Sequence, residues 1–328
     1  HETLHILFKH LFRFDFKRQK NLSYGHLFRA NKIISFLKNN FNIFYLIKTE
    51  IQDNQYNYLR KKNLKQYKNN LFLNGKEFKK KIDFLIIDLP YKDNQIHLIK
   101  SKVSKIIVIE DHFMNYDLAN FYFTNLKLNN TQLNKINLNK NSIYNGNQYF
   151  INDQRQINKS PKKIIKKIFV NFGGSDPLNL SSKFLKSINN EVFSKYIFYL
   201  VLGPGAKKLS KLKINKNINI YTKLSKKKFD LLRKDSDIAV VSGGNILIEN
   251  IFLGLPSLAY PSSKYENLII NQLLKNNVVS KLNSLNNNIL SQMIDLFNYK
   301  HRMKIFNESK KLIKRNKFYQ KFIFILNF

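Results

Sequence analysis

The sequence of 328 residues contains no cysteine, no tryptophan, and only ten glycines and six prolines. Without cysteine the chain has no disulfide, no thiolate metal ligand and no cysteine nucleophile. Its seven histidines are scattered, with no His-x-x-x-His pair on a predicted helix, which disfavours a zinc site. We therefore expect an activity that uses no metal and no cofactor.

Long hydrophobic runs are also missing. No apolar stretch approaches the roughly 20 residues that a membrane-spanning helix needs. Residues 1–11 carry charges throughout and lack a small-residue cleavage site, so they do not have the pattern of a signal peptide. We expect a cytoplasmic monomer with no transmembrane segment, whose basic region Gln52–Lys80 is suited to peripheral contact with a membrane surface.

Acidic residues are scarce, since 21 Asp and Glu stand against 57 Lys and Arg, for a formal net charge of +36. Such an excess is typical of nucleic-acid binding. The lysines are spread along the chain among abundant Asn and Ile, as in proteins encoded by AT-rich DNA, and no DNA or RNA recognition motif accompanies them. We expect no specific nucleic-acid partner, although a non-catalytic binder of anions or nucleic acid stays an alternative. The charge also favours an anionic substrate.

Short apolar runs alternate with longer amphipathic segments along most of the chain. Buried strands joined by helical crossovers predict an α/β fold with parallel sheets covered on both faces. The predicted strands are Leu11–Phe16, Ile43–Ile47, Phe84–Ile87, Ile106–Ile109, Ile168–Phe172, Tyr196–Leu202, Ile218–Tyr221, Ile238–Val241 and Pro256–Tyr260. Helices are predicted over His26–Asn39, Leu180–Asn189, Lys226–Lys234 and Asn245–Leu253, and in the tail Ser291–Phe328.

The segment Asn125–Asn158 is rich in Asn, Lys and Gln and has weak periodicity, so we interpret it as loops and a linker. This predicts two domains, residues 1–158 and residues 159–328. Seven of the ten glycines fall between Gly173 and Gly254, most of them directly after a predicted strand. Open α/β sheets bind ligands at such strand ends.

The turn from Ser242 to Asn245 closes one predicted strand and opens a helix. Glycine at 243 and 244 lets backbone N–H groups approach a phosphate, and a helix N-terminus favours negative charge. Glu249, one turn later, is placed to accept hydrogen bonds from a ribose diol. The alternative is a tight structural turn with a solvated Glu.

Residues Gly173-Gly174-Ser175-Asp176 form a second turn of this kind. Two such turns in one domain suggest a single diphosphate held from two sides. The alternative is an ordinary helix start with Ser175 or Asp176 as its cap.

The segment from Ser23 to Arg29 is the third candidate site. His26 would lie at a helix N-terminus, which disfavours imidazolium and keeps the ring a competent general base. Arg29, one turn later, is suited to a phosphate or a carboxylate. The alternative is a histidine packed at a turn.

Asp88 and Asp111 end two predicted strands. Carboxylates there either cap the next helix or serve a site, by orienting His26 or by binding sugar hydroxyls.

In this order, the turns resemble those of the UDP-2,4-diacetamido-2,4,6-trideoxy-L-altropyranose hydrolases of pseudaminic acid synthesis and the related spore-coat polysaccharide proteins. These families are similar in fold to the peptidoglycan N-acetylglucosaminyl transferase, the GT-B arrangement of two facing Rossmann-like domains. The matched elements span about Phe12 to Leu282. They are Ser23–Arg29, Ile86–Tyr91, Ile109–Asp111, Gly146–Tyr149, Phe172–Pro177, Gly243–Glu249, Leu253–Pro256 and Glu266-Asn267.

The resemblance implies a hydrolase that cleaves a UDP-linked acetamido sugar, with His26 as the base that activates water. A glycosyltransferase with a UDP-sugar donor is the alternative. The diphosphate and ribose would be bound by Gly173, Gly174, Ser175, Gly243, Gly244, Asn245 and Glu249. The sugar side would involve Arg29, Asp88, Tyr91, Tyr149 and Asn267. The chain departs from the family pattern at Ser23, Pro90, Glu110 and Leu268, all on the sugar side.

Overall fold

The chain divides into two α/β units, His1–Ile151 and Asn152–Phe328, in a computed structural model. The division falls a few residues before the expected boundary at 158. The structure describes residues 10–15, 29, 32–33, 35–37, 43–48, 65–66, 82–88, 101, 103–109, 117, 119–136, 142–152, 160–207, 209, 214–285 and 288–327. The predicted membrane-contacting region 52–80 lies outside these residues, apart from 65 and 66.

The first unit contains a parallel sheet in the order β3-β2-β1-β4-β5-β6-β7. Its strands are β1 (His10–Asp15), β2 (Ile43–Lys48), β3 (Lys65–Gln66), β4 (Ile82–Ile87), β5 (Val103–Ile109), β6 (Phe121–Thr124) and β7 (Ile143–Asn145). The ends of β4 and β5 are buried in successive residues, as expected for a sheet covered on both faces. The described residues between Arg29 and Leu37 are helical, as predicted.

The interpretation of residues 125–158 as loops and a linker was wrong for the part that the structure describes. Asn130–Lys135 forms helix α1, which begins with a capping box between Asn129 and Gln132. Strand β7 then pairs in parallel with β6, and a 3-10 turn follows at Asn147–Tyr149. The many Asn residues lower the helical and strand propensity of this segment, but here the side chains of Asn129 and Gln132 provide the cap.

The second unit has a parallel sheet in the order β10-β9-β8-β11-β12-β13. Its strands are β8 (Lys167–Asn171), β9 (Ile197–Val201), β10 (Ile218–Tyr221), β11 (Ile238–Ser242), β12 (Ser257–Tyr260) and β13 (Ser280–Lys281). Its helices are α2 (Leu180–Ile188), α3 (Lys226–Asp235), α4 (Asn245–Leu253), α5 (Lys264–Lys275), α6 (Ile289–Phe297), α7 (Tyr299–Lys314) and α8 (Phe318–Leu326). The predicted strands, crossover helices and helical tail are confirmed.

Helix α4 shows how the local sequence sets these elements. Six of its nine residues are apolar, and it packs against the sheet and the helical tail. The helix ends at Gly254, which adopts φ 75° and donates its N–H to the carbonyls of Asn250 and Ile251. A left-handed residue at a helix end has no Cβ penalty when it is glycine.

Arg302 joins the tail to the first residues of the second unit. Its side chain is fully buried in α7 and donates to the carbonyls of Leu296 and Phe297 at the end of α6. It also donates to the carbonyls of Lys162 and Lys163, just before β8. Burial lowers the pKa of Arg302. A guanidinium carries five N–H donors, so this single side chain satisfies the carbonyls of two separate segments.

In both sheets the strand order reverses beside the first strand of the unit, between β1 and β4 and between β8 and β11. Open parallel sheets bind ligands at the carboxyl ends of the strands on either side of this reversal. Most candidate residues of the sequence follow these same four strands, whereas Tyr149 follows β7 and Asn267 follows β12.

Candidate functional site

In the first unit, Arg29 and Asp88 meet at the reversal of strand order. Arg29 Nε lies 2.9 Å from Asp88 Oδ2, and Arg29 Nη2 lies 2.6 Å from Asp88 Oδ1. The two side chains are 11% and 5% exposed. A forked, buried guanidinium–carboxylate pair has a fixed geometry. It therefore anchors the helix that follows β1 to the end of β4. The predicted contacts of both residues with substrate stay predictions.

Tyr149 lies in an aromatic cluster of the first unit. Its ring is 5.5 Å from Tyr144 and 6.0 Å from Phe123, between centroids, and it is 8% exposed. Burial raises the pKa of Tyr149, so the phenol stays protonated. His26 and Tyr91 lie outside the described residues, as do Glu110 and Asp111.

In the second unit, the two predicted glycine turns come together. Gly173 follows β8 and Gly243 follows β11, which is the neighbouring strand. Gly173 adopts φ +89°, and a Cβ added to it would lie 3.4 Å from Ser242 Oγ. The turns therefore lie side by side at one sheet edge, with space for about one added carbon between Gly173 and Ser242.

A third turn, Gly203-Pro204-Gly205 after β9, supports the first. The N–H of Gly205 donates to the carbonyl of Gly174 at 2.8 Å. A Cβ at Gly203 would lie 2.2 Å from the carbonyl oxygen of Gly173, closer than atoms approach. Glycine is required at 203 because backbone meets backbone there. The glycine pair in the sequence marked this turn, but its supporting role needed the tertiary contact.

Asp176 caps helix α2. Its Oδ1 accepts from the N–H of Leu180 at 2.7 Å, and its Oδ2 accepts from the N–H of Ser181 at 2.9 Å. Asp176 is buried and has φ 40°. Between Ser175 and Asp176, the second is thus the residue that binds the start of this helix. Because α2 already has a carboxylate at its N-terminus, a bound anion would meet the preceding residues, 173–175.

Helix α4 begins differently. Its N-cap is Gly244, so no side chain caps it. The first amides of a helix lack intrahelical partners and carry the positive end of the macrodipole. The start of α4 therefore has no capping side chain of its own, although the carboxyl group of Glu266 accepts from the preceding Gly243.

Glu266, which the sequence left without a role, lies against the same turn. Its Oε2 accepts from Gly243 N–H at 3.2 Å, from Ser262 N–H at 2.7 Å and from Ser262 Oγ at 2.6 Å. Burial raises the pKa of Glu266, and the three hydrogen bonds offset this only in part. Ser263-x-x-Glu266 has the capping-box spacing, which is the sequence signal for a helix start.

Glu249 and Asn267 each bind a cation of this unit. Glu249 Oε2 lies 3.0 Å from Arg233 Nη1, and its side chain is 16% exposed. Asn267 Oδ1 accepts from Lys281 Nζ at 3.0 Å, and Lys281 also donates to Asn271 at 3.1 Å. Lys281 comes from β13, so it adds a positive charge close to Asn267 that the sequence analysis did not single out.

Within the described ranges, no group of three or more His, Asp or Glu side chains is placed to hold a metal ion. In the same part of the chain, no helix combines the length and the hydropathy that crossing a bilayer requires.

The two Rossmann-like units, with parallel sheets and glycine turns at the strand ends, define the GT-B fold class. No protein-family model matches the chain. An uncharacterized protein of Methanocaldococcus jannaschii is 29% identical over 155 residues, which covers 42% of this chain. The match spans 30% of that relative's own length.

Solved GT-B structures align with nearly the whole chain. MurG of Acinetobacter baumannii has a TM-score of 0.56 at 10% identity and covers 94% of this chain and 99% of its own. MnaA of S. aureus, solved with UDP, has a TM-score of 0.61 at 12% identity, with coverage of 95% and 97%. UDP-GlcNAc 2-epimerase of Neisseria meningitidis, bound to UDP-GlcNAc, has a TM-score of 0.57 at 14% identity, with coverage of 94% and 99%. At these identities the likeness establishes the fold.

Proposed function

We propose that this chain is a nucleotide-sugar hydrolase that cleaves a UDP-linked acetamido sugar to UDP and the free sugar. The observation that carries the proposal is the proximity of the turns after β8 and β11 on neighbouring strands. They place Gly173 and Ser242 together beside the uncapped start of α4. Structural neighbours with this fold include proteins solved with UDP and with UDP-GlcNAc.

The diphosphate would lie between these two turns. Backbone amides of residues 173–175 and of Gly244 and Asn245 would donate to its oxygens, and the dipole of α4 would favour its charge. Glu249, one turn into α4, would accept from the ribose hydroxyls. The same amides would stabilise the charge that develops on the leaving group.

His26 would act as the general base. In this reaction His26 takes a proton from water while the water oxygen bonds to the anomeric carbon. The bond between that carbon and the β-phosphate oxygen breaks, and UDP leaves with the electron pair. The buried pair of Arg29 and Asp88 supports this role, because it anchors the chain three residues after His26. Anchoring lowers the cost of holding a base in position.

The substrate class follows from the resemblance of the turns to the hydrolases of pseudaminic acid synthesis and to spore-coat polysaccharide proteins. The sugar would be an acetamido sugar destined for a nonulosonic acid or a surface polysaccharide. The excess of lysine would attract such a dianionic substrate.

A GT-B glycosyltransferase is the second candidate, in which His26 deprotonates an acceptor hydroxyl in place of water. Coverage of 94% of this chain by MurG of Acinetobacter baumannii favours keeping it. The two reactions differ in the nucleophile alone, so they differ in whether UDP release depends on an acceptor.

UDP release from a panel of UDP-acetamido sugars tests the proposal, with wild type and His26→Ala, each with and without acceptor glycans. We expect release without acceptor, a loss of about 10²–10⁴-fold in the variant, and unchanged UDP affinity by calorimetry. Release that requires an acceptor would favour the transferase. Absence of UDP binding by the wild type would overturn the assignment of the second unit.

A further inference from the structure

The ion pair between Arg233 and Glu249 connects two helices of the second unit. Arg233 lies in the last turn of α3, and Glu249 lies midway along α4. Arg233 Nη1 is 3.0 Å from Glu249 Oε2, and the side chains are 7% and 16% exposed. The carboxylate is thus partly accessible while the guanidinium behind it is buried.

We propose that Arg233 is a positioning residue that holds the Glu249 carboxylate for the ribose diol of the nucleotide. The inference rests on the proposed function, in which Glu249 binds ribose. A carboxylate has acceptor sites for about four hydrogen bonds, so its bond to Arg233 is compatible with accepting two ribose hydroxyls.

Arg233 is itself fixed on several sides. Its Nη2 forms an ion pair with Asp230, one turn earlier in α3. Its guanidinium stacks 5.2 Å from the ring centroid of Phe229, and Phe229 packs edge-on against Phe169 of β8 at 5.4 Å. Through Phe229, Arg233 is therefore held against β8, a central strand of the sheet, and Arg233 in turn orients Glu249.

The neighbour of Glu249 strengthens the same arrangement. Asn250 is fully buried, and its Oδ1 lies 3.5 Å from Arg233 Nη1. Its Nδ2 donates to Ser257 Oγ at 3.2 Å, and this hydroxyl donates to the carbonyl of Leu255 at 2.9 Å. A flat guanidinium suits two acceptors on one helix, whereas the single ammonium of lysine would not match both.

Charge gives Arg233 a second effect on the site. A bound diphosphate at the start of α4 would repel the ionised Glu249 one turn away. A buried cation on the far side of that carboxylate offsets the repulsion, because Coulomb interactions are stronger where water is excluded. This effect acts alike on every ligand with a diphosphate, whereas positioning acts on ligands with both ribose hydroxyls.

Calorimetric binding of UDP and of 2′-deoxy-UDP separates these effects. We expect the wild type to bind UDP about 10-fold or more tighter than 2′-deoxy-UDP, as a hydrogen bond to a charged group predicts. Glu249→Gln should reduce this ratio. Arg233→Met should bring it close to one, and Arg233→Lys should give an intermediate ratio. Lys226→Met removes an exposed cation of α3 that pairs with Asp230, and it should keep the wild-type ratio.

An unchanged ratio in Arg233→Met and Arg233→Lys, with lowered thermal stability, would overturn the inference and leave Arg233 as a tie between helices. An unchanged ratio in Glu249→Gln would overturn it as well. If the wild type binds neither nucleotide, the proposed function fails first, and that outcome is distinct from both. If Arg233→Met does not fold, Arg233→Lys alone still decides, because it retains the charge and loses the fork.

Discussion

Arg29 and Asp88 form a buried, two-bond ion pair although 59 residues separate them in the sequence. Arg29 follows β1 and Asp88 ends β4, so the pair crosses the point where the strand order of the first sheet reverses. A guanidinium that already binds a buried carboxylate is a structural anchor first. Any contact with substrate would add to that role.

Loss of one partner of this pair should destabilise the first unit. Removing one member of a buried ion pair leaves an uncompensated charge and costs about 3–5 kcal/mol. We expect Asp88→Asn and Arg29→Met each to lower the melting temperature and to speed amide exchange in β4. The double variant Arg29→Met/Asp88→Leu should recover part of the loss. Lys311→Met, which breaks an exposed pair with Glu308, should cost less than about 1 kcal/mol. Equal effects of the buried and exposed pairs would contradict the anchor role.

The glycine turns of the second unit give a steric prediction. Gly203→Ala would place a Cβ 2.2 Å from the carbonyl oxygen of Gly173, so the turn after β8 must shift. We expect a large loss of UDP affinity together with reduced stability. Gly205→Ala is the matched control, because its nearest contact would be Ser175 Cα at 3.2 Å. Titration calorimetry and thermal melts of both variants measure the difference. A UDP affinity of Gly203→Ala equal to that of the wild type would show that the first turn does not bind the nucleotide.

Glu266 gives a pH dependence of known sign. Burial raises the pKa of Glu266 above its usual 4.5, so the folded chain holds this proton more tightly than the unfolded chain. The stability it contributes is present below the usual pKa and declines as the pH rises through the raised value. We expect urea unfolding to show the wild type losing free energy of unfolding relative to Glu266→Gln over that range. Glu308→Gln, on the surface of α7, is the charge-matched control. A wild type that gains stability relative to Glu266→Gln as pH rises would contradict the sign.

The contribution of Asp237 to stability depends on pH with the opposite sign. Burial alone would raise its pKa, but hydrogen bonds from Lys162 and from the N–H groups of Lys166 and Lys167 outweigh it and lower the pKa below 3.8. The stability that the ionised Asp237 contributes is present above its usual pKa, and it is lost as the pH falls through the lowered pKa. We expect Asp237→Asn to be less stable than wild type at pH 7, by about 1–3 kcal/mol. This difference in the free energy of unfolding should become smaller in acid, as unfolding curves at a series of pH values would show. A constant gap down to low pH would exclude ionisation as its cause.

The fold could be predicted largely from local pattern. Strand β11 is an unbroken apolar run, and helix α4 was predicted with the bounds that the structure has, Asn245–Leu253. Strands β3, β6, β7 and β13 were missed. They are two to four residues long, and so short a segment becomes a strand through pairing with its neighbour rather than through its own propensity.

The candidate site likewise has features that local sequence encodes and features that depend on tertiary contacts. Glycines that directly follow strands are local features, so the sequence by itself determined that glycine turns close β8 and β11 and which residues form them. Only the tertiary structure decided what these residues contact: Arg29 binds Asp88, Glu249 binds Arg233, and Glu266 lies against Gly243. Such partners are 16 to 59 residues apart, and residues so distant along the chain are brought together by the strand order of the sheet, which no local pattern encodes.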